Sequence, residues 1–263
     1  MIKIAIDAGH GLYTAGKRIT LKGYESTREW SLNDAIADEL QYLLSFYNCE
    51  VQRMDDTTGA TDVSLKNRVK KANNWGADVY ISIHHNAGVH GGSGGGTVVF
   101  YYSSKSERAV QAIDLYNQVV NLTGLIGNRS TKVKKKGYYV IKNTKMPAFL
   151  IENGFMDSKT DVPIILTEAH AHKTARGLLN FLIKNYGLNS RAEDPIISKE
   201  VGFRVKIKVD DLNYRSGPGT TYAVGGQVKK GYVFTIAETS GNWGKLKSGA
   251  GWINISSKYV TRL

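Results

Sequence analysis

The sequence is poor in cysteine and contains no long apolar run. Its 263 residues include a single cysteine, Cys49, which excludes an intramolecular disulfide framework and a cysteine-rich zinc site. We interpret Cys49 as a small buried hydrophobic residue. No apolar stretch is long enough to cross a bilayer, and the N-terminus lacks the charged-then-apolar pattern of a secretory signal. We therefore expect synthesis in the cytoplasm without a signal peptide, and no stable insertion into a membrane.

Acidic residues are scarce relative to basic ones. The chain has 23 Asp and Glu against 35 Lys and Arg, which gives a formal net charge of +12. A surplus of this size favours an anionic partner, such as a nucleic acid, a membrane surface or an acidic cell-wall polymer. We do not expect a nucleic-acid partner, because no recognition helix or base-stacking motif accompanies the basic residues.

Predicted strands and helices alternate through the first part of the chain. The clearest helix, over residues 28–46, carries Ile36, Leu40 and Leu43 on one apolar face. This alternation predicts an α/β domain with a largely parallel sheet flanked by helices, and in such sheets sites lie at the carboxyl ends of strands. The predicted strands are 3–7, 50–53, 79–84, 97–102, 138–142 and 148–152, and the other predicted helices are 63–75, 105–123 and 167–186.

The composition and periodicity of the sequence change after residue 187. Residues 188–200 are polar and aperiodic, which indicates a linker between a domain at 1–187 and a second domain at 201–263. In the second domain, short strands alternate with glycine-rich turns, a pattern typical of a small all-β barrel. This segment has ten Lys or Arg and three Asp or Glu, so it carries +7 of the formal charge.

A histidine between two glycines closes the first predicted strand. In Asp7-Ala8-Gly9-His10-Gly11, the glycines permit a sharp turn that lifts the imidazole of His10 off the strand end. A lone histidine is more often structural than a metal ligand. Here, however, further candidate ligands lie at the ends or starts of apolar segments: Glu29, the cluster His84-His85-Asn86, and Glu152.

Two histidines and one carboxylate are a common protein ligand set of a hydrolytic zinc site, whose fourth position stays open for water. A second carboxylate that does not bind the metal serves as general base and acid. His10, Glu29, His84 and Glu152 together supply two histidines and two carboxylates of this kind. Because His10, His84 and Glu152 all fall at predicted strand ends, we expect one shared site.

Four motifs occur in order in the first domain: the DAGHG opening, Glu29 followed by Asn33, the AN-x-x-GAD-x-YISIHHNA stretch, and MPAFLIENGFMDS. With these motifs, residues 3–186 resemble the zinc-dependent N-acetylmuramoyl-L-alanine amidases of the Amidase-3 type. The resemblance implies a mixed sheet flanked by helices. It also implies cleavage of the amide between the lactyl group of muramic acid and the first L-alanine of the peptide stem.

The resemblance implies a ligand set residue by residue. His10 matches the first metal ligand, and Glu29, four residues before an asparagine, matches the carboxylate ligand, with Glu25 as its rival. His84 matches the second histidine ligand, although His85 is a rival one residue away. Side chains alternate across a strand, so only one of the two histidines is expected to reach the metal.

The resemblance further implies that Glu152 is the catalytic glutamate, which takes a proton from water and delivers it to the leaving amine. Asn86 and Arg129 match family positions with a supporting role, and we expect them to contribute to substrate binding. One Zn²⁺ per chain is the implied cofactor.

The second domain resembles bacterial SH3-like domains. The resemblance rests on the order N-x-R-S-G-P-G from Asn213, then Gly231, Trp243 and Gly251-Trp252-Ile253. Such domains attach wall hydrolases to peptidoglycan, which implies a wall-binding role here. Tyr214 and Tyr222 are candidates for a surface groove, whereas Trp243 is either a further binding residue or part of the barrel core.

Two other features lie near the predicted site. The glycine-rich stretch 91–96 lacks the Lys-Ser/Thr of a phosphate-binding loop, so we expect a flexible loop at the rim of the cleft. The basic run of Lys132, Lys134, Lys135 and Lys136 is interpreted as a solvated loop. Attraction for stem-peptide carboxylates or teichoic-acid phosphates is its functional alternative.

Together these features predict a peptidoglycan amidase with a wall-binding domain. The expected lack of a signal peptide favours a phage or prophage endolysin, released to the wall by a holin, a protein that permeabilises the membrane. A bacterial autolysin acting at mother-cell lysis is the alternative within the class. A non-catalytic wall-binding protein is the alternative from another class, and the intact candidate site argues against it.

Overall fold

The computed structural model describes residues 1–128, 130, 132–191 and 203–263. The chain divides into two compact units, Met1–Asn189 and Ser190–Leu263. Most of the linker predicted over residues 188–200 lies outside the described residues, so the linker and the boundaries at 187 and 201 stay predictions.

The described part of the first unit contains six strands and six helices. The strands are β1 (Ile2–Ala8), β2 (Cys49–Arg53), β3 (Val79–Asn86), β4 (Thr97–Tyr101), β5 (Val133–Lys135) and β6 (Ala148–Phe155). The helices are α1 (Glu29–Leu44), α2 (Leu65–Trp75), α3 (Ser106–Thr123), α4 (Tyr139–Asn143), α5 (Val162–Ile165) and α6 (Glu168–Tyr186).

These strands form one sheet in the order β2-β1-β3-β6-β4-β5. All neighbouring pairs are parallel except β4 and β6, which are antiparallel. The mixed, largely parallel sheet confirms the predicted fold class. The carboxyl ends of β1, β3 and β6 lie side by side, and His84 of β3 is in register with Glu152 of β6.

Capping residues and apolar stripes explain where the longer helices begin and how they pack. The Ser64 side chain accepts a hydrogen bond from Asn67 N–H and starts α2, which ends at Gly76 in the left-handed conformation, φ +69°. In α1, the predicted stripe of Ile36, Leu40 and Leu43 is buried, which stabilises the helix by removing its apolar face from water.

Two local predictions were wrong. Residues 138–142, predicted as a strand, contain the start of helix α4, in which Val140 and Ile141 are both buried. A short apolar run cannot be assigned by periodicity alone, because it fits a buried strand and a buried helix equally well. Part of the basic run predicted as a loop forms strand β5, parallel to β4.

The second unit, in its described part, is an all-antiparallel sheet of seven strands, as expected for an SH3-like barrel. The strand order is β13-β7-β10-β11-β12-β8-β9. Its core includes Ile207, Ile236 and Ile253, each at most 1% exposed. The strands are β7 (Arg204–Ile207), β8 (Asp211–Arg215), β9 (Val224–Lys229), β10 (Val233–Ser240), β11 (Trp243–Leu246), β12 (Trp252–Asn254) and β13 (Val260–Arg262).

Candidate metal centre and catalytic site

His10 stands in a left-handed backbone conformation immediately after β1. Its φ is +68°, which costs a residue other than glycine on the order of 1 kcal/mol or more. Gly9 before it is required for a different reason, since a Cβ there would lie 2.0 Å from Cε1 of His84. The glycine-flanked turn therefore brings the two imidazoles together, and their ring centroids are 5.0 Å apart.

Arg68 of α2 holds this turn in place. Its guanidinium donates to the carbonyl of His10 at 2.7 Å and to the carbonyl of Ala8 at 2.8 Å. Arg68 is 1% exposed and also forms a buried ion pair with Asp7. Because these contacts fix the backbone on both sides of Gly9, they hold the strained conformation of His10.

Glu29 is the first residue of α1 and is buried, with 1% of its side chain exposed. Its N–H donates to the carbonyl of Lys17 at 3.0 Å, which fixes the start of the helix against the preceding loop. Its Oε1 lies 3.4 Å from Nε2 of His10 and 3.1 Å from Nδ1 of His84.

The electrostatics of Glu29 and His84 are coupled. Burial raises the pKa of Glu29, but hydrogen bonds and charges from His10 and His84 outweigh it and hold this pKa well below its usual value. Burial lowers the pKa of His84, yet the bond to Glu29 and the charges of Glu29 and Glu152 leave it raised. Both shifts favour an ionised Glu29 with a positive charge close to it.

The donor set fits a zinc ion. One potential ligand atom from each of His10, Glu29 and His84 lies within 4.8 Å of the other two. Tetrahedral zinc with bonds of about 2.0–2.1 Å separates its ligand atoms by about 3.3 Å, close to the two separations from Glu29 Oε1. The second oxygen, Oε2, is buried without a hydrogen-bond partner among the described residues, and the ammonium of Lys17 lies 3.7 Å away from it.

Glu152 borders this cluster from the neighbouring strand. It pairs in register with His84, so both side chains leave the sheet at its carboxyl edge. Burial raises the pKa of Glu152 to about 7, a rise that His84 opposes and the negative charge of Glu29 reinforces. One carboxylate oxygen, Oε2, is buried without a hydrogen-bond partner in the described part of the chain.

The side chain of His85, the alternative metal ligand, bonds to Asn33 and not to Glu29. Its Nδ1 lies 2.8 Å from Oδ1 of Asn33, and its ring is 6.3 Å from that of His170 between centroids. Burial, and then the charge of His170, lowers the pKa of His85 to about 3, so the ring is neutral. Only the backbone N–H of His85 contacts Glu29, at 3.3 Å.

Two other predicted site residues, Glu25 and Asn86, form side-chain hydrogen bonds within their own segments. Glu25 is exposed and accepts a hydrogen bond from Gly23 N–H at 2.8 Å, within its own loop. Asn86 ends β3, where its Oδ1 accepts from the N–H of Ala87 at 2.8 Å. Arg129 lies outside the described residues, so its role and that of Asn86 in substrate binding stay predictions.

Most amides of the glycine-rich loop already have partners within the protein. The N–H groups of Gly91 and Gly92 donate to the carbonyls of Asp157 and Val89, each at 2.8 Å. The N–H of Gly96 donates to the carboxylate of Asp161 at 2.8 Å. These amides therefore do not form a free cradle for phosphate.

A cavity of about 340 Å³ opens beside His10 and His84. Leu65 and Val140 give it an apolar wall, and Asp62 contributes a carboxylate. A cleft of this size next to the candidate ligands can admit a peptide or sugar group of a substrate.

The sequence analysis does not identify three residues at the site. Lys17, whose ammonium lies 3.7 Å from Oε2 of Glu29, follows no recognisable pattern. Arg68 of α2 and His170 of α6 are buried and could be found only from the fold. Asn33 does have a signal in the sequence, since it follows Glu29 by four residues and so shares its face of α1, but its bond to His85 has none.

In the second unit, the two candidate tyrosines lie over glycines. A Cβ at Gly226 would lie 2.7 Å from Oη of Tyr214, and one at Gly217 would lie 2.3 Å from Cδ1 of Tyr222. Both tyrosines are half-buried, as is Trp243, whereas Trp252 is buried in the core. The wall-binding role of Tyr214, Tyr222 and Trp243 stays a prediction.

Comparison with known families gives a match in each unit. Residues 4–184 match the family described as N-acetylmuramoyl-L-alanine amidase. Residues 210–261 match the bacterial SH3 domain.

Characterised relatives span most of the chain. The N-acetylmuramoyl-L-alanine amidase CwlM of Bacillus licheniformis is 31% identical over 214 residues, covering 81% of this chain and 79% of that protein. The sporulation-specific N-acetylmuramoyl-L-alanine amidase of Bacillus subtilis is 31% identical over 222 residues, with the same coverage of both chains.

Solved structures agree with the fold. The catalytic domain of CwlV from Bacillus (Paenibacillus) polymyxa superposes with a TM-score of 0.62 at 27% identity, covering 72% of this chain and all of that domain. An N-acetylmuramoyl-L-alanine amidase from Clostridium difficile 630 gives a TM-score of 0.61 at 28% identity, covering 71% of this chain and 97% of that one.

Proposed function

Since this chain belongs to the N-acetylmuramoyl-L-alanine amidase family and is a cell-wall amidase, we propose that His10, Glu29 and His84 hold its zinc ion and that Glu152 is its general base. The observation that carries the proposal is the convergence of two imidazoles on a buried carboxylate, which brings three potential ligand atoms within 4.8 Å of one another. The oxygen Oε2 of that carboxylate has no hydrogen-bond partner among the described residues.

When bound, zinc would supply Lewis-acid polarisation of the scissile carbonyl and acidify the attacking water. Glu152 accepts the proton of that water as it adds to the carbonyl carbon. The carbon–nitrogen bond then breaks, and the same carboxyl delivers the proton to the leaving amine of L-alanine. Lys17, Arg68 and Asn33 hold the backbone and side chains around the ligands, so little rearrangement is needed during the reaction.

The bond cleaved is tested by the products of wall digestion. Purified walls treated with the enzyme should gain N-terminal L-alanine and no new reducing sugars. New reducing ends in proportion to lysis would show that the glycan is cut instead.

The second unit is proposed to hold the enzyme at the wall, through a groove that includes Tyr214, Tyr222 and Trp243. The match to the bacterial SH3 domain and the +7 formal charge of residues 201–263 support this role. A chain ending at Asn189 should keep its zinc, bind intact cells less and lyse them more slowly. Equal lysis by the shortened and full chains would contradict the role.

The biological setting has two candidates. We propose a phage or prophage endolysin released by a holin, with a bacterial autolysin acting at mother-cell lysis as the second candidate. The relative named for sporulation favours the second. Expression inside the host cell, with and without a holin, separates them: an endolysin lyses the culture only when the holin is present.

A further inference from the structure

The first unit contains a long segment without a carboxylate. The 37 residues between Asp114 and Glu152 include six lysines and one arginine and no Asp or Glu. Acidic residues make up 23 of the 263 residues in the whole chain. The excess positive charge of the first unit is therefore concentrated in one stretch.

The fold places this stretch on the edge of the sheet. Strand β5 is the last strand of the sheet and pairs on one side only, with β4. Lys135 and Lys136, at the end of β5 and just beyond it, are exposed, and so is Lys142 of α4. Two separate elements thus present lysines to solvent in the same region.

The ammonium groups of these lysines lie close to aromatic rings. The ammonium of Lys135 lies 5.9 Å from the ring centroid of Tyr102, and that of Lys142 lies 5.7 Å from the same centroid. The ammonium of Lys136 lies 5.4 Å from the ring of Tyr138. We call Lys135, Lys136, Lys142, Tyr102 and Tyr138 the β5–α4 lysine surface.

The lysines of this surface have no ion-pair partner among the described residues. In the part of the chain that the structure describes, no carboxylate lies within ion-pairing distance of its three lysines. Elsewhere in the same unit the exposed Lys184 does pair, with Asp114. The positive charges of Lys135 and Lys142, both beside the ring of Tyr102, repel each other. A bound polyvalent anion would offset this repulsion.

The surface borders the candidate active site. Val140 of α4, two residues before Lys142, lines the cavity that opens beside His10 and His84. The raised pKa of Tyr138, due first to burial and then to the negative charge of Glu152, agrees with this placement. Lys136 stacks on that same ring. A polymer held on the β5–α4 lysine surface would therefore lie next to the substrate.

We propose that the β5–α4 lysine surface binds a phosphodiester-linked cell-wall polymer of the teichoic-acid type, independently of the second unit. This inference rests on the proposed function for its cell-wall setting. The ammonium groups of Lys135 and Lys142 lie beside the same ring of Tyr102, so the surface suits a ligand with closely repeated negative charges. Phosphodiesters along one polymer chain meet that need, whereas the carboxylates of peptidoglycan sit on separate stem peptides.

The test uses the full chain and soluble poly(glycerol phosphate) as the probe. One variant carries Lys135→Gln, Lys136→Gln and Lys142→Gln. Its charge-matched control carries Lys70→Gln, Lys159→Gln and Lys173→Gln, three exposed lysines of the same unit outside the surface. At roughly half a kcal/mol per surface charge, the first variant should bind about tenfold more weakly at low salt. The control should change affinity less than twofold.

The dependence of binding on salt gives a second readout. Each lost phosphate contact should reduce the slope of log K against log salt by roughly 0.7–0.9, so the first variant should lose about two units and the control little. Equal weakening in both variants would show that only net charge matters and would overturn the proposal. Unchanged binding with self-association of the first variant would assign the lysines to protection of the sheet edge.

Two further probes identify the partner. Walls stripped of phosphate polymers by acid extraction should bind both variants and the unmodified chain alike. A loss confined to the first variant on stripped walls would point to stem-peptide carboxylates, and a greater loss with duplex DNA than with poly(glycerol phosphate) would point to nucleic acid; either overturns the proposal. Hydrolysis of a soluble muropeptide should be equal in all three proteins. If none hydrolyses it, the proposed function fails while the binding result stands.

Discussion

Asn33 and His85 form a buried hydrogen bond, with Oδ1 of Asn33 2.8 Å from Nδ1 of His85. The amide nitrogen of the same asparagine donates to the carbonyl of Gly9 at 3.1 Å. Gly9 precedes His10 and His85 follows His84, so one side chain joins the two segments that carry the candidate histidine ligands. We infer that Asn33 positions these ligands before the metal binds.

Replacing Asn33 should therefore weaken the metal site as well as the fold. Asn33→Ala should lower the free energy of unfolding by about 1–3 kcal/mol, because it leaves a buried carbonyl and imidazole unpaired. Zinc affinity, measured by competition with a chelator, should fall roughly 10- to 100-fold. Asn67→Ala, on the exposed face of α2, serves as control. Unchanged zinc affinity in Asn33→Ala would refute the positioning role.

Arg68→Met should destabilise the protein strongly. The substitution leaves the buried carboxylate of Asp7 without its ion-pair partner and frees the carbonyl of His10. Breaking a buried pair from one side costs about 3–5 kcal/mol, which urea unfolding can measure. The double variant Arg68→Met/Asp7→Asn should recover part of this loss, since it removes the stranded charge. No recovery would indicate that the pairing contributes little.

The buried His170 should make stability depend on pH. Burial lowers the pKa of His170 from 6.5 to about 4. Between these values the unfolded chain binds a proton that the native chain does not, so this stabilisation is complete above pH 6.5 and is lost as the pH falls toward 4. The loss is on the order of 3 kcal/mol.

Urea unfolding at several pH values checks this prediction. His170→Gln should show a flatter decline of stability between pH 6.5 and 4 than the unmodified chain. His90→Gln, at an exposed position of the same unit, is the control and should keep the original slope. An identical slope in all three proteins would exclude His170 as the source.

The alternation of strands and helices predicted most of the first unit, because helices such as α1 carry an unambiguous apolar stripe. It failed at Val140 and Ile141, because a helix of five residues is too short for the sequence to reveal its period. His10, Glu29 and His84 could be selected because glycines and strand ends mark turns. The contacts of Lys17, Arg68 and His170 could not, because they join residues far apart in sequence and depend on how the layers pack.

The choice between His84 and His85 has its own test. His84→Ala should lose zinc and lysis, since its Nδ1 faces Glu29 at 3.1 Å. His85→Ala should keep measurable zinc, although its affinity should fall because the bond to Asn33 is lost. Metal analysis after dialysis ranks the two variants. The reverse order would assign His85, in place of His84, as the ligand. Zinc lost in Glu25→Ala and retained in Glu29→Ala would assign Glu25, in the loop before α1, in place of Glu29.

In the proposed site, Glu29 binds the metal and Glu152 acts only as the general base. The zinc content of two glutamate variants tests this division most directly. Elemental analysis of purified protein should give about one zinc per chain for the unmodified enzyme and for Glu152→Gln, with wall digestion by Glu152→Gln slowed by about a hundred- to ten-thousand-fold. Glu29→Gln, equally conservative in shape, should hold far less zinc. Zinc retained in Glu29→Gln, or lost in Glu152→Gln, would contradict the account.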